Sequence, residues 1–157
     1  MKKILVPCDF SKPAINAFRI ALDIAQRSKG TVHLLNVIEV PVVMSDPTLM
    51  PGINFEGQLF NELNDRANSE FKRTIKKYNL DEVKVVSEVQ LGGVSPAILD
   101  YISDKSIDLV LMGSHGVTGL QELFVGSNAE KIVRRSPVPV LIVKDYYKGP
   151  IKNIVFP

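Results

Sequence analysis

A chain of 157 residues, 45% hydrophobic and 23% charged, is most simply one globular domain that can bury a core without disulfides or a structural metal. Its formal charge of +2 is too small to mark a nucleic-acid or membrane surface, and no basic run interleaved with aromatics appears, so neither is an expected partner. The single cysteine, Cys8, excludes an intrachain disulfide framework and fits a reducing compartment.

The start, MKKILVPCDFS, imitates a signal peptide, but its apolar run ends at Pro7, short of the roughly 7–15 residues such a segment needs. No stretch approaches the roughly 18 apolar residues needed to span a bilayer, so the cytoplasm is the expected location. KKILVPC instead reads as a buried strand. Ser11 then offers a helix cap, with Pro13 early in the first turn. Ile15, Phe18, Leu22 and Ala25 follow at helical spacing, and Gly30 is the expected stop.

TVHLLNVIEV is a second strand. The connection from Val40 to Phe55 carries three prolines and a glycine. Irregular loops beyond about 12–15 residues are usually functional or disordered, and the apolar content of this one favours a flap near a crevice or a partner surface over a plain connection. A long helix from about Glu56 to Tyr78 carries the stripe Leu59, Leu63, Ala67, Phe71, Ile75 and Tyr78. VKVVSEVQ is a third strand, and SPAILDYISDKS a short helix with Ser95 as its expected cap. IDLVLMG is a fourth strand, SNAEKIVRRS the last helix and VPVLIV a fifth strand.

Strand–helix alternation of this kind predicts an α/β fold, a doubly wound five-stranded parallel sheet of order 3-2-1-4-5 with helices on both faces. Ligands in such sheets bind at the carboxyl ends of the strands where the order reverses. The crevice would be lined by PCDFS after strand 1 and GSHG after strand 4. Residues 1–145 form the expected domain. Residues 146–157 read as a linker and an extra strand, because IKNIVFP resembles the opening KKILVP and is either the start of a second tandem module or a chance extra strand.

The segment GSHGVTGLQELFVGS places Gly113, Gly116 and Gly126 in the spacing G-x2-G-x9-G, followed by Ser127. Backbone N–H groups opening a helix bind phosphate well, and glycines let an anion reach the main chain. The Walker lysine and the dinucleotide fingerprint are both missing. A competing reading makes SNAE a capping box, Ser127 to Glu130, with the glycines as loop punctuation. On spacing alone both readings stand.

VPCDFS, MGSHGVTGLQELFVGSNAEKIV and SPVPVLIVK together resemble the universal stress protein family, over Lys2 to Lys144. The motif G-x2-G-x9-G-[ST] is the mark of that family's ATP-binding branch. The resemblance implies an adenine nucleotide alpha hydrolase-like fold and a stress-response or signalling module that binds ATP (or ADP or AMP). The phosphates would lie on Gly116, Gly126, Ser127 and Asn128, and adenosine against Pro7, Asp9, Val37, Met112 and Gly113. Asp9 suits the amino or hydroxyl end, since a carboxylate repels phosphate; its alternative role is helix capping beside Ser11. Val37 offers backbone groups or is simply core. His115 either touches phosphate or is a solvated loop histidine.

His33, inside strand 2, reads as structural, and Cys8 as an inert buried thiol. With two histidines and one cysteine a zinc site is not expected, whereas Mg or Mn arriving with the nucleotide fits. Slow ATP hydrolysis is the enzymatic alternative, with Glu122 the only loop base on offer. A protein-interaction module of the same fold, without nucleotide, is the other. Val138–Val143 is the expected homodimer edge, as the family commonly uses its last strand; a pseudo-dimer with a tandem module is its alternative.

Overall fold

The computed structural model describes residues 2–39, 55–79, 83–114 and 126–147. Five strands, β1 (Lys3–Pro7), β2 (Thr31–Ile38), β3 (Lys84–Leu91), β4 (Leu109–Gly113) and β5 (Val140–Val143), alternate with four helices. The helices are α1 (Lys12–Ser28), α2 (Phe55–Tyr78), α3 (Val94–Lys105) and α4 (Ser127–Arg135). All pairings are parallel, in the order β3-β2-β1-β4-β5. The doubly wound sheet expected from the alternation is therefore present. β1 lies between β2 and β4, and this is the point where the winding reverses.

Alternate residues of the central strands feed two cores. Ile4, Val6, Val32, Leu34 and Leu111 pack under α1, with Phe71 of α2 in the same cluster. Leu5, Leu35, Val110 and Met112 face the other way, against Ile98, Tyr101 and Ile102 of α3 and Ile132 of α4. Ile4, Leu5 and Val6 are wholly buried, as a central parallel strand requires, and each contributes about 1.5–3 kcal/mol.

Several local expectations are corrected. Gly30 does not end α1 by taking the left-handed conformation; Lys29 does, at φ 51°, while the Gly30 N–H reaches Ala25 O at 2.8 Å. Glycine serves at position 30 because a Cβ there would sit 2.9 Å from Lys2 O, just before β1. Ser95 is not the cap of α3. Gly93 holds that position, Glu39 Oε1 accepts the Val94 N–H at 3.2 Å, and Ser95 is buried inside the first turn. β5 begins at Val140, two residues later than the run VPVLIV suggests, so Pro139 precedes the strand; its carbonyl accepts from Val110 N at 3.0 Å.

The stretch after β5 is docked on α1. Asn16 Nδ2 donates to Lys144 O at 3.2 Å, the Arg19 guanidinium lies 3.6 Å from the Tyr146 ring centroid, and the Tyr146 hydroxyl donates to Asp23 at 3.1 Å. The expected tail strand at Ile151–Pro157 and the connection 40–54 lie outside the described residues. No helix among the described residues is long and apolar enough to cross a membrane.

Candidate functional site

At the carboxyl ends of the central strands lies a cleft of about 240 Å³. β1 and the turn after it bring Pro7, Cys8 and Asp9 to its wall, and the end of β2 brings Leu35, Asn36 and Val37. The end of β4 contributes Met112, Gly113 and Ser114, and the start of α4 contributes Gly126, Ser127 and Asn128. Residues far apart in the chain thus share one surface because β1 and β4 are hydrogen-bonded neighbours. Of the sites read from the motif, His115 and Gly116 lie outside the described residues, as does Glu122.

The N-terminus of α4 closes one end. Gly126 is its N-cap, no side chain caps it, and the Ser127–Glu130 capping box is not formed. The Glu130 carboxylate instead accepts from Arg134 Nε at 3.0 Å, one turn on. Gly126 has φ −56° and ψ 148°, values open to any residue, so its backbone conformation does not require glycine. Its N–H donates to Ser114 O at 2.8 Å, which brings the two ends of the 115–125 segment together. Among the described lining residues no lysine or arginine appears. An anion in the cleft would depend on the first-turn amides of α4 and the helix dipole.

Gly113 has a different reason to be glycine. A Cβ there would lie 2.8 Å from Pro13 C and from Ala14 N, so β4 and the start of α1 meet main chain to main chain. That contact, rather than clearance for an anion, accounts for the residue.

The β1–α1 turn shapes the opposite end. Asp9 Oδ1 accepts the Ser11 N–H at 3.0 Å, and Ser11 Oγ accepts the Ala14 N–H at 3.4 Å. Asp9 supports the cap and still borders the cleft. Asp9 is the one charged side chain among the described lining residues. Phe10 holds φ 63°, a left-handed conformation that costs a non-glycine residue about 1–2 kcal/mol, and its ring packs on Phe71 of α2 with centroids 5.1 Å apart.

Several lining residues escaped the motif reading, Asn36 and Val94 among them. Asn36 donates from Nδ2 to Cys8 O at 2.8 Å, while the Cys8 N–H donates to Leu35 O at 2.8 Å, so both main-chain polar groups of Cys8 are tied to β2. A polar residue inside the apolar run TVHLLNVI was the available signal. Val94, at the start of α3, also lines the cleft. Just behind it the buried Ser95 hydroxyl donates to Asn128 Oδ1 at 3.4 Å, bracing the start of α4 against α3.

Cys8 is almost wholly buried, and loss of solvent pushes its thiol up to about 12, so it stays protonated and unreactive. His33 is buried against Tyr101, with Nδ1 3.1 Å from the hydroxyl; burial and then Lys3 and Lys105 push its pKa down. Its role is structural. No group of three or more His, Cys, Asp or Glu suited to a metal occurs among the described residues.

A model of the universal stress protein family matches residues 1–144. Universal stress protein MJ0577 of Methanocaldococcus jannaschii is 31% identical, covering 91% of this chain and 94% of its own. A solved structure of MJ0577 has TM-score 0.73 at 32% identity, covering 94% and 98% of the two chains. Universal stress protein UspA from Lactobacillus plantarum has TM-score 0.75 at 25% identity, covering 91% and 97%. A universal stress protein from Archaeoglobus fulgidus, solved in complex with dAMP, shares the fold with TM-score 0.65 at 14% identity, covering 92% and 98%.

Proposed function

The chain belongs to the universal stress protein family, and on that premise we propose that it is an ATP-binding stress-response module. The observation that carries the reading is the start of α4: a helix N-terminus with a glycine cap and no capping side chain, facing a cleft with no basic residue among its described lining. Such an end leaves main-chain donors for an anion. The phosphates lie on the Gly126, Ser127 and Asn128 end, continuing to Gly116 and His115. The adenosine lies against Pro7, Asp9, Val37, Met112 and Gly113. Support for an adenine ligand comes from the Archaeoglobus fulgidus relative solved with dAMP.

Asp9 sits at the nucleoside end, where its carboxylate accepts from a hydroxyl or amino group. A Mg or Mn ion entering with ATP would be held by phosphate oxygens and water, since the described residues offer no acidic cluster. Occupancy couples the nucleotide to a surface of the molecule, provided that ATP binds one conformer better than another.

The edge strand β5 carries the homodimer, or the pseudo-dimer if residues 146–157 open a second tandem module. Sedimentation showing monomer at high concentration would remove the homodimer. The decisive test of the ligand is mass analysis of the small molecule released on denaturation, with a thermal shift on adding ATP. No released nucleotide and no shift would defeat the reading.

A further inference from the structure

We propose that Phe10, held in its left-handed conformation by Phe71 of α2, is a positioning residue that fixes the Asp9 carboxylate at the nucleoside end of the cleft. This rests on the adenine-nucleotide reading above.

The turn between β1 and α1 is pinned on both sides of Asp9. Upstream, Cys8 is tied to β2 through Leu35 O and the Asn36 amide. Downstream, Ser11 is committed to capping α1 and gives its N–H to Asp9 Oδ1. Phe10 lies between these two anchors, at φ 63°. A phenylalanine does not adopt that conformation by preference, so something must hold it there. The ring contact with Phe71, tilted at 60° with centroids 5.1 Å apart, supplies that hold, and Phe71 is itself only 1% exposed.

The chain thus uses a core aromatic of α2 to stabilise a strained turn whose product is the placement of one carboxylate. If Phe10 relaxed to a right-handed or extended conformation, the Asp9 backbone would rotate and the Asp9–Ser11 hydrogen bond would be lost. A purely packing role for Phe10 makes a different demand, since packing asks for apolar volume and is indifferent to the sign of φ.

The two roles separate when Phe10→Gly is compared with Phe10→Ala. Both variants lose the ring contact, but glycine accepts positive φ freely and alanine does not. Calorimetric titration with ATP is expected to show Phe10→Gly within about threefold of wild type and Phe10→Ala weaker by about fivefold or more. In the Asp9→Ala background the difference between glycine and alanine disappears, because the acceptor being placed is gone. Inorganic tripolyphosphate, which probes the α4 end alone, binds all the variants alike.

Equal ATP affinity of the glycine and alanine variants overturns the proposal. So does a difference that persists in Asp9→Ala or appears equally with tripolyphosphate. Wild-type protein that binds no ATP overturns the nucleotide reading itself, and this inference with it. Should neither Phe10 variant fold, Phe71→Leu keeps the apolar volume and removes the ring. It is expected to weaken ATP about threefold without affecting tripolyphosphate, and unchanged ATP affinity there is equally fatal.

Discussion

The starts of α1 and α4 border the same cleft and are finished in opposite ways. At α1 the chain supplies its own acceptors: Ser11 Oγ takes the Ala14 N–H, and Asp9 Oδ1 takes that of Ser11. At α4 the cap is Gly126, which has no side chain to offer, and Glu130 turns toward Arg134. Both helices face the same dipole problem, namely unpaired donors and partial positive charge at the N-terminus. One end satisfies part of it internally and fixes a carboxylate in the process, whereas at the other no side chain caps the helix. The difference leaves the cleft with one acidic end, and the proposed function assigns the anion to the other.

The largest effect is expected where β4 meets the start of α1. Gly113→Ala places a Cβ against Pro13 and Ala14 main chain at 2.8 Å, which neither side can yield cheaply. A loss of about 3 kcal/mol is expected, read from the urea unfolding midpoint. A loss below about 0.5 kcal/mol would mean that β4 and the start of α1 have slack between them, and the comparison would lose its common frame.

Gly126→Val acts on the anion end alone. The backbone there, at φ −56° and ψ 148°, suits valine, so the unliganded fold should survive. ATP affinity should fall at least about tenfold, roughly 1.4 kcal/mol, as the branched side chain takes phosphate space. A folded variant that binds ATP normally would put the anion elsewhere.

At α1 the corresponding experiment is Ser11→Ala, which removes the cap and leaves the Ala14 N–H without its acceptor. About 1 kcal/mol of stability is expected to go, measured by chemical denaturation. An unchanged midpoint would show that the long 3.4 Å contact contributes nothing and that α1 is no better capped than α4.

Strand order, helix spans and the meeting of strand-1 and strand-4 residues were legible because a buried parallel strand needs an unbroken apolar run and each crossover needs a periodic helix. ILVP, VHLLNVI and LVLM could hardly be anything else between those helices. Helix ends were less legible. Ser95 looks like a cap from its neighbours, yet Glu39, distant in sequence, takes the first N–H of α3 and leaves the hydroxyl for Asn128. Gly30 looks like a left-handed stop, yet its missing Cβ is needed by Lys2 O. The same held at Gly113. Local sequence shows which residues can make a turn or a cap, while a contact from across the fold decides which of them does. The placement of Asn36 and the strain at Phe10 depend on such contacts, and no spacing in the chain announces either.

Ser127→Ala probes the smallest difference and the most specific one. If Ser127 capped α4 as the SNAE pattern suggests, alanine would cost about 1 kcal/mol, like Ser11→Ala. The structure places Ser127 as the first residue of α4, exposed, with Gly126 in the cap position. Its hydroxyl therefore supports no helix donor, and stability should stay within about 0.5 kcal/mol of wild type. ATP affinity should nevertheless fall about threefold, the loss of one solvated hydroxyl–phosphate hydrogen bond. A stability-neutral residue that still moves affinity is what a donor-presenting helix end predicts. A residue that moves stability and leaves affinity alone would make α4 a second α1, and the acidic and anion-seeking ends of the cleft would no longer be distinct.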